Sequence, residues 1–203
     1  MTPEEFYAHA MRAADGQGRL PLSRMTGWQV FPFEQAGLRV VPLAAPVLPE
    51  PARAGENGQD CPACEASADS LTPVWSDEHW RLSPLGPSGA PLILVLEPTV
   101  HCDLPDLPDD RAAQMGVLIA RIARAIESLP HVARAHVSRW GDGGAHLHIF
   151  FFARPEGFSQ LRGTCLAIWD DLLPAVPAAQ RDSDAALVGR SLADAYGGQA
   201  HPL

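Results

Sequence analysis

The chain has 203 residues, 46% of them hydrophobic, which is enough for one sizeable core, because a domain of about 150 residues already buries about two-thirds of its unfolded surface. A formal net charge of -9 opposes wrapping a nucleic-acid backbone, a task that needs clustered Lys and Arg, and the 15 basic side chains are all Arg. Scattered arginines still suit a planar, bidentate contact with one phosphate or carboxylate, so a small anionic ligand remains open.

The opening segment, MTPEEFYAHAMRAADGQ, is acidic where a secretory signal is basic, and no apolar run approaches the ~20 residues that span a bilayer. The expected location is cytoplasmic, with no membrane as a partner. Thiols stay reduced there, which makes the four cysteines ligands or core residues rather than disulfides.

Residues 3 to 14 fit a short helix with Phe6, Ala10 and Ala13 on one side, ended by Gly16 and Gly18. From Val41 to Gly58 the stretch VPLAAPVLPEPARAGENG favours irregular or extended backbone and reads as a covering strap or linker. Strands are expected at residues 79–84, 90–97, 133–139 and 145–152, each bounded by Gly, Pro or Asp. Between the second and third lies the clearest helix, Asp109 to Leu129, where Met115, Leu118, Ile119, Ile122 and Ile126 recur at helical spacing. Two acidic residues favour its start, and Pro130 follows its end. A second helix fits Gly163 to Leu173, with Leu166, Trp169 and Leu173 inward, and the tail from Ala178 reads as a weak helix or a mobile terminus. The expected class is α+β. Its parts are an N-terminal extension over 1–58, a main domain over 59–175 and a tail over 176–203.

Cys61 and Cys64 form CPAC, a spacing that turns both sulfurs toward one point. A redox pair needs a lowered thiol pKa, and the flanking Asp60 and Glu65 oppose that. A zinc deaminase needs a Pro directly before the first Cys and an upstream H-x-E, and neither is present. Half of a tetrahedral zinc site is the third reading and requires two further N or S ligands. The bland alternative is a pair of small buried thiols.

Among the histidines, His9, His131 and His201 read as surface residues, His79 as solvent-facing or strand-edge, and His136 as a hydrogen-bonded structural residue within a strand. His101 differs, because it follows the apolar strand LILVLE and the turn residues Pro98 and Thr99, where a strand end can present a ligand. His146 opens the next aromatic strand. Together with Cys61 and Cys64 these two complete a Cys2His2 set drawn from three segments, a structural Zn2+ site that pins loops to the sheet.

Residues 61 to 155 resemble the histidine triad superfamily, including its galactose-1-phosphate uridylyltransferase branch. The resemblance rests on ordered elements: the C-x-x-C, the acidic SDEHWRL, the P-x-x-H of LVLEPTVH, a long helix, then a glycine-containing loop and His146-Leu147-His148-Ile149-Phe150-Phe151-Phe152 followed by Arg154. It implies an antiparallel sheet of about five strands with a long connecting helix, a zinc-bound first histidine, His146, and a nucleophilic second histidine, His148. It also implies a covalent nucleotidyl-histidine and a small phosphate-containing nucleotide as substrate, for hydrolysis or transfer.

Developing charge on the phosphate needs fixed donors, for which the Gly143 and Gly144 N–H groups and Arg154 or Arg139 are candidates. Phe150 stands at the third triad position, and it can neither donate a proton to a leaving group nor hydrogen-bond a phosphate. The alternative function is therefore a zinc-stabilised binding or structural protein without turnover. Many members of the superfamily pair as dimers, so a homodimer is a further implication.

Overall fold

The computed structural model describes residues 2–21, 42–65, 72–170 and 173–203. They fall into two compact units, 1–52 and 53–203. In the first unit, α1 spans Pro3–Met11. Thr2 caps it reciprocally: the Glu5 N–H donates to Thr2 Oγ1 (3.2 Å) and the Thr2 N–H to Glu5 Oε2 (2.7 Å), so two otherwise orphaned donors are satisfied. Ala13 lies beyond the helix and is exposed, while the Phe6 side chain falls outside the described residues.

The second unit carries α2 (Pro62–Glu65), β1 (Trp75–Ser76), β2 (Trp80–Leu85), β3 (Ile93–Pro98), α3 (Asp109–Glu127), β4 (Val132–Ser138), β5 (Ile149–Pro155), α4 (Thr164–Trp169), α5 (Ala178–Tyr196) and β6 (Gln199–Ala200). Its six strands form one sheet in the order β4-β5-β3-β2-β1-β6, antiparallel at every step. The expected α+β class holds, with a two-residue strand added at β1 and another at β6.

Each strand has alternate residues on opposite faces. Leu82, Leu94, Leu96, Phe151 and Ala153 enter the core with Leu118, Ile122 and Ile126 of α3 and Ala185, Val188 and Leu192 of α5. The helical spacing read across Asp109 to Leu129 thus corresponds to the buried stripe of α3. The other face carries Ile93, Val95, Phe150, Phe152 and Arg154, as the pairings Ile93 with Phe152 and Val95 with Phe150 require.

The second expected helix is shorter than Gly163 to Leu173 and stops at Trp169. Leu166 is buried as expected, Leu173 lies beyond the helix end, and the Trp169 side chain is outside the described residues. The tail is a 19-residue helix, α5, rather than a weak or mobile end. Its buried stripe uses small residues, Ala185 and Gly189, beside Val188 and Leu192, which gives little apolar contrast in sequence. Small residues let α5 approach the backbone closely: a Cβ built on Gly189 comes within 2.3 Å of the Val74 carbonyl oxygen. Gly189→Ala is therefore expected to destabilise by about 1–3 kcal/mol despite the better helix propensity of Ala. The urea midpoint measures it, and an unchanged or higher midpoint refutes the close approach.

Two histidines have other roles than expected. The His201 N–H donates to the Val74 carbonyl (2.9 Å), and its ring lies 2.8 Å from Ser76 Oγ, so it fastens the tail to β1. His136 lies inside β4, but its Nε2 is buried without a hydrogen-bond partner. Burial, with Arg154 adding to it, holds its pKa below the ordinary histidine value. The unfolded chain therefore binds a proton near pH 6.5 that the folded chain does not, so this group lowers stability as pH falls below about 6.5. In His136→Phe the loss of stability between pH 7.5 and 5.5 is expected to be smaller than in the parent. Equal losses in denaturant titrations at both pH values exclude the effect.

Candidate functional site

Cys61 begins the α2 turn, and the Cys64 and Glu65 N–H groups both donate to its carbonyl (3.0 and 2.9 Å), which aims the two sulfurs the same way. Gly55, at φ +79, leaves room beside it: a Cβ there comes within 3.1 Å of Cys61 Sγ. Arg81 of β2 ties the turn to the sheet, donating to the Ala63 carbonyl (2.9 Å) and to Glu97 Oε2 (3.1 Å). His101 follows β3.

His146 and His148 precede β5, which starts at Ile149, so neither lies within a paired strand. The alternation of faces nevertheless reaches back this far. Leu147 is fully buried in the core, and His146 and His148 take the opposite side.

The ligand atoms of Cys61, Cys64, His101 and His146 all lie within 4.8 Å of one another. His146 Nδ1 is 3.6 Å from Cys61 Sγ and 3.4 Å from Cys64 Sγ, and His101 Nδ1 is 3.5 Å from Cys64 Sγ. A tetrahedral centre with Zn–S near 2.3 Å and Zn–N near 2.0–2.1 Å has S-to-N edges of about 3.6 Å. The residues therefore fit such an ion. His146 Nε2 lies 3.0 Å from the Pro98 carbonyl, which can only accept, so Nε2 carries the proton and Nδ1 presents its lone pair to the thiols. Burial holds His146 below the ordinary histidine pKa, which favours this neutral form.

Cys64 is pushed above the ordinary thiol value by desolvation first and by Cys61 next, the direction opposite to a redox pair. Glu97 rather than Asp60 or Glu65 is the acidic contributor.

The same logic sets the tautomer of His148. Its Nδ1 lies 2.8 Å from the His146 carbonyl, so Nδ1–H donates there and Nε2 keeps a lone pair. Gly144 faces it, and a Cβ at that position comes within 4.0 Å of the His148 ring. No acceptor among the described residues meets the N–H of Gly143 or Gly144. Beyond His148 the face is aromatic, with Phe150 at 5.1 Å between ring centroids and Trp140 packed on Phe150 at 5.6 Å. A cavity of about 250 Å³ opens beside it between Leu85, Ile93, Phe150 and Phe152.

No protein-family model matches the sequence, and no curated protein matches it. Solved structures do match. A histidine triad protein from Bradyrhizobium japonicum aligns over 61% of this chain and 91% of its own at 19% identity, with a TM-score of 0.50. One from Marinobacter aquaeolei VT8 aligns over 63% of this chain and 92% of its own at 17% identity, again with a TM-score of 0.50. A hypothetical histidine triad nucleotide-binding protein from Sulfolobus tokodaii covers 70% and 99% at 13% identity, also at 0.50. The fold is that of the histidine triad proteins.

In this histidine triad fold the strap before the C-x-x-C braces the glycine loop. The Ala54 N–H donates to the Gly143 carbonyl (3.2 Å), and the Ala145 N–H donates back to Ala54 (2.9 Å). Arg53 Nη1 reaches both Asp103 Oδ2 (2.7 Å) and the Gly141 carbonyl (3.0 Å), and Arg139 pairs with the other Asp103 oxygen. Burial pushes the Asp103 carboxyl up, but hydrogen bonds from Arg53, the Leu104 N–H and Arg139 outweigh it and hold it below the ordinary carboxylate value.

Arg139 is thus committed to Asp103. Arg154 lies six residues beyond His148, about 20 Å along an extended strand, and its guanidinium donates to the Pro155 carbonyl (3.5 Å). The histidine triad fold does not bring it to His148. Sequence reasoning missed Arg53, Arg81, Glu97 and Asp103. The available signal was a charged residue inside each of two apolar strands, Arg81 and Glu97, since charges there are buried only when paired.

Proposed function

We propose that the chain is a member of the histidine triad superfamily that holds a structural Zn2+ through Cys61, Cys64, His101 and His146 and moves nucleotidyl groups by hydrolysis or transfer through His148. The observation that carries the reading is the short contact from His148 Nδ1 to the His146 carbonyl, because it points a fixed lone pair out from beside the four-donor cluster. The ion, when bound, fastens three loops together and supplies no step of the reaction.

His148 Nε2 attacks the α-phosphorus of a small nucleotide, the bond from that phosphorus to the leaving group breaks with its electron pair going to the departing atom, and the ring keeps its Nδ1 proton, hydrogen-bonded to the His146 carbonyl, throughout. The Gly143 and Gly144 N–H groups receive the negative charge that builds on the phosphoryl oxygens. The cavity beside Phe150 and Phe152 takes the non-reacting part of the substrate. Water or a second acceptor then releases the nucleotidyl group.

Incubation with a labelled dinucleoside polyphosphate, followed by an alkaline quench, is expected to leave label on the chain and none on His148→Ala. Phe150 beside the nucleophile favours one rival, a zinc-held binding protein without turnover. That rival predicts nucleotide binding with no label in either protein.

No helix among the described residues is long and apolar enough to cross a membrane. The seven-residue β4 forms one edge of the sheet and offers a second copy a strand to pair with in a homodimer.

A further inference from the structure

The loop Gly141-Asp142-Gly143-Gly144 has three glycines in four positions, and glycine loses more backbone freedom on being ordered than any other residue. Left to itself, such a loop samples many orientations of its N–H groups. A donor that must turn toward its acceptor during the reaction contributes less than one already aimed, so whatever holds this loop bears on the rate.

The strap at residues 53–58 holds it through the main chain. The Ala54 N–H donates to the Gly143 carbonyl (3.2 Å) and the Ala145 N–H to the Ala54 carbonyl (2.9 Å), a parallel bridge between Ala54 and Gly144. A trans peptide unit is planar, so its C=O and the N–H that follows point in opposite directions. With the Gly143 carbonyl drawn to the strap, the Gly144 N–H faces away from it. Gly144 stands between strap and nucleophile: a Cβ built on it would lie 3.9 Å from the Ala54 carbonyl oxygen and 4.0 Å from the His148 ring.

Arg53 fixes the strap in turn. Its Nη1 donates to Asp103 Oδ2 (2.7 Å) and to the Gly141 carbonyl (3.0 Å), while Nη2 reaches Glu56 Oε1 (3.3 Å). The Asp103 carboxylate is buried and takes Arg139 on its other oxygen. The Arg139 guanidinium lies over Gly141, in the space that a Cβ there would fill. One carboxylate after β3 thus gathers the residue next to Ala54 and the approach to the glycine loop.

We propose that Arg53 and Asp103 are a positioning pair for the displacement at phosphorus, fixing the Gly143–Gly144 peptide so that the Gly144 N–H is aimed before the substrate arrives. This inference rests on His148 being the nucleophile. The pair acts through the strap and the loop rather than on the phosphoryl group itself. Because charge on the phosphoryl oxygens grows toward the transition state, an aimed donor raises the rate at saturation and leaves ground-state binding nearly unchanged.

In Arg53→Ala, covalent labelling by a saturating labelled dinucleoside polyphosphate is expected to slow about 10²-fold, the loss that a misplacement of about 1 Å brings. The half-saturating concentration is expected to move by less than about threefold. Asp103→Asn is expected to show the same split, and the double variant to lose no more than either single one, since the two side chains act as a unit. A readout independent of turnover is amide hydrogen exchange at Ala145, whose N–H is bonded to Ala54. Without nucleotide it is expected to quicken by on the order of tenfold in Arg53→Ala.

A parental labelling rate in Arg53→Ala, or losses that multiply in the double variant, overturns the positioning pair and leaves His148 as nucleophile. Ala145 exchange at the parental rate overturns the bracing itself. Absence of label in the parent protein overturns the nucleophile and this inference with it.

Discussion

In Cys61→Ser the purified protein is expected to lose its zinc and to melt about 8–16 °C lower than the parent. The magnitude follows from linkage. An ion bound at about a thousand times its Kd stabilises the folded state by about 4 kcal/mol, and each kcal/mol moves the melting temperature of a chain this size by about 2–4 °C. The distances support an effect of this size, since the four donors already stand at tetrahedral spacing and come from the α2 turn, the end of β3 and the approach to β5.

The fold need not collapse without the ion, because Trp80, Leu96, Ile122 and Phe151 form a core independent of it. A chelator should bring the parent down to the melting temperature of the variant and leave the variant unmoved. Stoichiometric zinc and an unchanged melting temperature in Cys61→Ser would falsify the assignment of this residue. Two thiols and two imidazoles suit zinc over magnesium or calcium.

His148→Ala is expected to retain zinc and melting temperature and to lose turnover by at least about 10³-fold, together with all covalent label. Stability is spared because the imidazole is only half-buried and its one hydrogen bond goes to a local carbonyl, two residues back. The separation of the two variants is the informative part. One lowers the melting temperature through loops that come apart, while the other leaves the scaffold whole and removes a lone pair. Turnover within tenfold of the parent in His148→Ala rules out the covalent route.

Where hydrophobic spacing was strong, the sequence could be read directly. The stripe Leu118, Ile122 and Ile126 has nothing to contradict it, and the strand Ile93 to Pro98, apolar on both faces except at Glu97, is buried throughout. The four donors were legible because few residue types can serve as ligands and their order along the chain constrains them.

What stayed hidden depends on contacts that leave no periodic trace. The α5 stripe is partly Ala and Gly, whose value lies in how close they let two backbones come. Arg53 looked interchangeable with other arginines, and Arg139 read as a candidate phosphate donor, until Asp103 was seen to collect both. Arg154 was drawn toward the phosphate by its place after the motif, and the rise of an extended strand carries it away.

The bond from the Trp75 indole to the Gly197 carbonyl joins positions 122 residues apart, and β6 completes the outer flank of β1. During synthesis at about 5–20 residues per second, roughly 6–25 s pass between the emergence of these two partners. For that interval the nascent sheet exposes the β1 edge, whatever residues stand at 199 and 200, and the last few residues synthesised are the ones that cover it.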